Sequence, residues 1–177
     1  SLDQVLNSIN SLDKYVFIST CSVYDNENCK TLLRNEQSKI LACSSEQQTD
    51  RSPQSYGNRK AECERILKKS GLNYIILRPA LVFGDYDPTD RLYYWLYQVK
   101  KKDVLLIPEN GERIFSTTYV SDLVTTIIKS FNSDVKDEVY NVITNPTTSI
   151  KQIIEIATQS FKKDYLIVNG SADFLKQ

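Results

Sequence analysis

Apolar residues at positions 2, 5, 6 and 9 repeat at helical spacing, so Ser1 to Ile9 reads as an amphipathic helix. The next apolar run, Tyr15-Val16-Phe17-Ile18, is continuous and ends in Ser19-Thr20, which predicts a strand over about 14–19. A polar stretch follows over about 25–53, broken mainly by Ile40-Leu41-Ala42. It is long for a connection in a compact domain and is expected to be a functional or mobile loop. Ala61, Cys63, Ile66 and Leu67 supply the apolar positions of a helix over about 54–69, and Gly71 supplies its stop signal. Tyr74-Ile75-Ile76-Leu77 then predicts a strand over about 73–78. Strand, helix, strand with this apolar content predicts parallel α/β architecture.

The texture changes after Gly84. Asp85-Tyr86-Asp87-Pro88 is a turn, and Thr89 to Lys101 reads as a helix carrying Leu92, Tyr93, Trp95, Leu96 and Val99. Val104 to Ile107 is a short strand stopped by Pro108. Asn110-Gly111 is a turn of the kind that closes hairpins, and Arg113 to Thr118 is the strand expected after it. A helix over about 121–131 is expected to take Asp122 as its cap, and Tyr140-Asn141-Val142 reads as a strand. Thr148 or Ser149 caps a helix running to about Phe161, and Tyr165 to Val168 is a last strand.

Composition narrows the class without naming it. The chain has 177 residues, 41% of them apolar and 25% charged, with 22 basic against 22 acidic side chains. That balance lacks the basic footprint of a nucleic-acid binder, and no apolar run reaches membrane-spanning length. Neither nucleic acid nor membrane is therefore an expected partner. Cys21, Cys29, Cys43 and Cys63 show no Cys-x-x-Cys spacing, and there is no histidine, so no metal site is expected. Reduced structural thiols suit a cytoplasmic protein. There is no methionine, and an opening helix feeds straight into a buried strand, which is the expected profile of a fragment or a processed chain.

The absence of histidine also removes the usual general base near neutral pH. Tyr56 and Lys60 stand four apart on the helix over about 54–69 and so share a face. A free tyrosine is a poor base at neutral pH, but a lysine ammonium alongside favours the phenolate. A hydroxyl at the preceding strand end, Thr20, can hold the same substrate oxygen. Tyr97 and Lys101 repeat the spacing, but no hydroxyl-ended strand precedes them and no Arg-Pro strand follows. The aromatic run Tyr93 to Tyr97 is read instead as lobe core or subunit contact. Glu64 is read as a surface residue of its helix, and Lys100-Lys101-Lys102-Asp103 as a solvated helix end.

Four segments in order carry a family resemblance: Ile18-Ser19-Thr20-Cys21-Ser22-Val23-Tyr24, Tyr56-Gly57-Asn58-Arg59-Lys60, Leu77-Arg78-Pro79-Ala80-Leu81-Val82-Phe83-Gly84 and Tyr119-Val120-Ser121-Asp122. Together they resemble the extended short-chain dehydrogenase/reductases, and within them the NAD-dependent epimerase/dehydratases. The resemblance implies an α/β fold, the later part of a doubly wound Rossmann-like parallel sheet plus a small mixed α/β substrate lobe. It places the dinucleotide-binding portion at 1–84 and mainly the lobe at 85–177, with some later elements returning to the main sheet. It implies NAD or NADP as cofactor and Thr20, Tyr56 and Lys60 as the catalytic set. Ser19, Pro79, Ala80 and Val82 join Tyr56 and Lys60 beside the cofactor, while Ser22, Tyr24, Leu81 and Arg113 face substrate. The implied activity is that of an epimerase, dehydratase or reductase on a sugar-nucleotide-like or other hydroxyl or carbonyl substrate.

The chain departs from that family in three places. Its five glycines, Gly57, Gly71, Gly84, Gly111 and Gly170, form no glycine-rich phosphate cradle. A preceding segment or a partner chain is expected to supply it, and this chain alone is expected neither to bind NAD(P) tightly nor to be active. Without those neighbours the strand at about 14–19 is expected to leave apolar side chains uncovered. Leu81 stands where sugar-nucleotide epimerases usually carry asparagine, and Phe115 where they usually carry a phosphate-binding arginine, with Arg113 two residues away. The polar stretch at about 25–53 is the third departure. A homodimer is among the expected assemblies. The rival reading is a non-catalytic binding or regulatory protein on the same scaffold.

Overall fold

A computed structural model describes residues 2–9, 12–28, 31 and 33–170. Cys29 and Ser1 lie outside the described residues. In chain order the elements are α1 (Leu2–Asn7), β1 (Tyr15–Ile18), α2 (Ser45–Thr49), α3 (Tyr56–Lys69), β2 (Tyr74–Pro79), β3 (Leu81–Phe83), α4 (Arg91–Lys101) and β4 (Val104–Pro108). They continue with β5 (Phe115–Tyr119), α5 (Val120–Asn132), β6 (Glu138–Val142), β7 (Asn145–Thr148), α6 (Ile150–Phe161) and β8 (Leu166–Gly170). Short 3-10 turns occupy Cys21–Val23 and Glu109–Gly111.

The chain divides into two compact units, residues 1–80 with 121–143, and residues 81–120 with 144–177. The first holds a parallel sheet in the order β1-β2-β6. Ile75, Ile76 and Leu77 of the middle strand are buried, as an apolar run covered on both faces should be. All four residues of β1, at the edge, are only half-buried. Lys14, just before β1, donates to the Ser130 carbonyl at 3.0 Å and ties that edge to α5.

The second unit has two small sheets. In one, β3 pairs β5 in parallel and β5 pairs β7 antiparallel; in the other, β4 pairs β8 in parallel. Leu105 and Ile107 of β4 face Val99 of α4 and Ile154 and Ala157 of α6 to form its core. Alternation puts Val104, Leu106, Leu166 and Val168 outward, where they are exposed.

Several expectations change. Asn110-Gly111 closes no hairpin, because β4 and β5 belong to different sheets. Positive φ at Asn110 and Gly111 would suit a tight hairpin turn, but these residues form a short 3-10 turn between strands that find other partners. Arg113 precedes β5 instead of lying on it. Helix α5 starts at Val120, so Asp122 sits in its first turn, where a carboxylate suits the helix dipole, and is not its cap. Ser149, not Thr148, caps α6, accepting from the Gln152 N–H. The polar stretch is not structureless: Ile40 bridges Tyr24, and α2 stands on a reciprocal Ser44–Gln47 capping box.

Candidate active site

The first unit concentrates the candidate residues where β1 ends and α3 begins. Thr20 caps the 21–23 turn, its Oγ1 accepting from the Ser22 N–H at 3.1 Å and donating to Ser22 Oγ at 3.2 Å. Ser22 itself is exposed. Asp50 accepts hydrogen bonds from the Ser52 and Ser55 hydroxyls, so it fixes the turn that leads into Tyr56. Those bonds hold the Asp50 carboxyl down at about 2.

Gly57 brings the two segments together. A Cβ there would stand 2.2 Å from the Ser22 carbonyl oxygen and 3.1 Å from Leu41 Cδ1. Only a residue without a side chain lets the first turn of α3 close on the 21–23 turn. Gly57→Ala should therefore push them apart and cost roughly 1–3 kcal/mol, the usual penalty of overpacking. The urea midpoint should fall accordingly, and an unchanged midpoint would disprove the close approach.

One turn along, Lys60 Nζ donates to the Ile18 carbonyl at 2.8 Å and sits 4.8 Å from the Phe17 ring centroid. Burial pulls its ammonium below the usual lysine range, while Cys63 and Glu64 push it back up. Tyr56, by contrast, is 41% exposed at the start of the helix. A lysine held at the strand end and an accessible phenol thus share one face of α3. The helix provides the pairing and Gly57 the proximity.

Behind this face lies a buried polar network that the sequence reading did not foresee. Glu64, expected on the surface, is 0% exposed. Its carboxylate accepts from Arg78 Nε at 2.9 Å, from Arg78 Nη2 at 2.6 Å and from Ser19 Oγ at 2.6 Å. Arg78 also donates to the Tyr24 hydroxyl at 3.0 Å and to the Glu36 carbonyl at 3.1 Å. Tyr24 in turn donates to Asn141 Oδ1 at 2.6 Å, and the Asn141 N–H donates to Glu36 Oε1 at 2.8 Å. Ser19 and Tyr24, expected to face cofactor and substrate, thus turn their hydroxyls into this network. Burial pushes the Tyr24 phenol up against the pull of Arg78, and pushes the Cys21 thiol up to about 11.

A signal for Glu64 did exist: it stands four residues after Lys60, on the same helix face. Asn141 and Glu36 carried none, since both are joined to the network only by the fold. Pro79 is buried at the end of β2 opposite Val142, and Ala80 follows it half-buried. Leu81 and Val82, on β3, belong to the second unit, as does Arg113, which is exposed. Leu81 and Phe115 line one cavity of that unit, and Arg113 does not. Tyr97 and Lys101 lie at the far end of α4, also in the second unit.

Comparison with known proteins adds four findings. The profile of the NAD dependent epimerase/dehydratase family matches residues 3–142. A UDP-glucuronic acid 4-epimerase from Bacillus cereus, solved with UDP-glucuronic acid and NAD, has a similar fold. Its TM-score is 0.74 at 23% identity, over 96% of this chain and 53% of that one. A UDP-N-acetylglucosamine 4-epimerase from Methanobrevibacter ruminantium M1, solved with UDP-N-acetylmuramic acid, gives 0.68 at 25% identity, over 90% of this chain and 51% of that one. Among curated proteins, the chloroplast stem-loop binding protein of 41 kDa b from Arabidopsis thaliana is 24% identical over 144 residues, 80% of this chain and 34% of that protein. The chain thus spans about half the length of these solved structures and about a third of the curated relative. Among the described residues no helix is long and apolar enough to cross a membrane.

Proposed function

This chain belongs to the NAD dependent epimerase/dehydratase family, and from that premise we propose that it carries the proton-transfer machinery and substrate lobe of an NAD- or NADP-dependent epimerase, dehydratase or reductase. The observation that carries the proposal is the close approach of two segments: Lys60 bonds the Ile18 carbonyl at the end of β1, and Gly57, next to Tyr56, packs against Ser22, to which Thr20 is hydrogen-bonded.

A bound nicotinamide supplies the hydride acceptor and donor; every other task falls to side chains of the protein. The Tyr56 oxygen takes the proton of a substrate hydroxyl as its carbon gives up hydride, and returns it in the reverse direction. Thr20 Oγ1 exchanges its bond to the exposed Ser22 hydroxyl for one to the same substrate oxygen, and so restrains it. Lys60 brings positive charge to the helix face it shares with Tyr56 and has further N–H groups for ribose hydroxyls. Lys60 and Tyr56 fit the nicotinamide ribose; none of the five glycines builds a pyrophosphate cradle. Cys21, Cys43 and Cys63 are free thiols, which suits a reducing compartment such as the cytoplasm.

The protein expressed from its complete reading frame should unfold at higher temperature with NAD or NADP, by about 2.7 kcal/mol of added stability at a hundred times the dissociation constant. It should also pass hydride between cofactor and a hydroxyl or carbonyl compound. The name of the Arabidopsis relative favours a second reading, a nucleic-acid stem-loop binder on the same scaffold. Tight binding of an RNA hairpin by fluorescence anisotropy, with no thermal response to either nucleotide, would replace the enzyme with that binder.

A further inference from the structure

The second unit contains a cavity of about 830 Å3, within the size range of small-molecule sites. Its walls are Leu81 and Phe83 of β3, Phe115 of β5, Trp95 of α4, and Ile153 and Ile156 of α6. Ile156 is 64% exposed and Leu81 36% exposed, so apolar wall is open to water on a concave surface. Two positions that stand apart in the sequence, Leu81 and Phe115, therefore meet in one site.

Charge decides what that site can hold. Among the described residues its lining includes one cation, Arg91, and one anion, Asp90, adjacent at the start of α4. They sum to zero. A nucleoside diphosphate brings at least two negative charges, and charges taken out of water need matched, hydrogen-bonded partners. A single guanidinium next to a carboxylate does not provide them. The aromatic side chains Phe83, Tyr94, Trp95 and Phe115 in the lining instead suit a flat or alicyclic apolar body. Thr117 and Thr148 add neutral polar groups to the lining, the kind that orient a hydroxyl or carbonyl.

We propose that this cavity binds an uncharged hydroxyl- or carbonyl-bearing molecule with an aromatic or alicyclic body, and that Phe115 and Leu81 select against a nucleoside diphosphate. That this molecule is the substrate rests on the catalytic reading above; the binding preference does not.

Trp95 is the one tryptophan of the chain and stands in the wall, so its emission reports occupancy directly. The 177-residue chain, excited at the red edge of tryptophan absorption, is titrated with 4-phenyl-2-butanol and separately with UDP-glucose. The alcohol should change Trp95 emission saturably and bind about tenfold or more tighter than UDP-glucose. Phe115→Arg should weaken the alcohol and strengthen UDP-glucose, each by about tenfold. UDP-glucose binding as tightly as the alcohol, or a saturable response to neither, would overturn the proposal. If Phe115→Arg does not fold, the two titrations of the unmodified chain decide alone. Neither titration needs cofactor or Tyr56, so absence of hydride transfer would sink the catalytic reading only, and preference for UDP-glucose this one only.

Discussion

Tyr56→Phe is expected to remove turnover while leaving cofactor binding as it was. The substitution deletes one oxygen from a ring that is 41% exposed, so packing around α3 does not change. Lys60 keeps its bond to the Ile18 carbonyl and its place over Phe17, the contacts on which its proposed role toward the ribose rests. What disappears is the group proposed to exchange a proton with the substrate oxygen. Loss of a positioned acid–base costs on the order of 10²–10⁴-fold in rate. The check is the rate of hydride transfer by the complete protein and its variant, alongside the thermal response of each to NAD or NADP. Turnover within a few-fold of the parent would remove Tyr56 from its role. A parallel loss of the nucleotide response would make it a binding residue instead.

The second large effect is on stability. Glu64→Ala leaves the Arg78 guanidinium buried with no counter-charge and takes away the acceptor of Ser19. Breaking a buried pair from one side costs roughly 3–5 kcal/mol, because the remaining ion stays desolvated. A domain is typically stable by about 5–15 kcal/mol, so this is a large share of the total. Glu64→Gln tests the mechanism. Its carbonyl oxygen can replace only one carboxylate oxygen, and its NH2 then points a donor at a donor, either Arg78 Nη2 or the Arg78 Nε and Ser19 pair. It should fall between the parent and Glu64→Ala in urea unfolding. Glu64→Ala within about 0.5 kcal/mol of the parent, the range of ordinary surface substitutions, would show that the pair contributes little.

The sequence made some of this legible and hid the rest for physical reasons. The run Ile75-Ile76-Leu77 read as a strand because a strand covered on both faces is apolar without interruption, and the helix over Tyr56–Lys69 read as a helix because its apolar positions recur at the right period. Strand β3 is three residues long and β7 is Asn-Pro-Thr-Thr; neither has a pattern of its own, and both are defined by pairing with β5. Helix α2 was readable in principle, since Ser44 and Gln47 spell a capping box, but it is polar and has five residues. Glu64 was misplaced because a carboxylate on a helix is usually solvated. Its partner lies fourteen residues on, in a different element, and local periodicity cannot join them. Tyr56 and Lys60 were legible as a pair, yet the need for glycine between them became visible only with Ser22 against it.

The Glu64–Arg78 network also bears on how such a chain can drift over generations. Ser19, Tyr24, Glu36, Glu64, Arg78 and Asn141 come from five stretches of the first unit, and each satisfies a neighbour that would otherwise be stranded. Groups coupled this closely do not change their contributions independently. A lineage that loses one member inherits a buried orphan, and its next viable step is to restore that member or to replace its partner as well. Lys68 and Lys69, exposed at the end of α3, carry no such debt and can vary one at a time. Substitution should therefore be stepwise at that end of the helix and concerted among the members of the network.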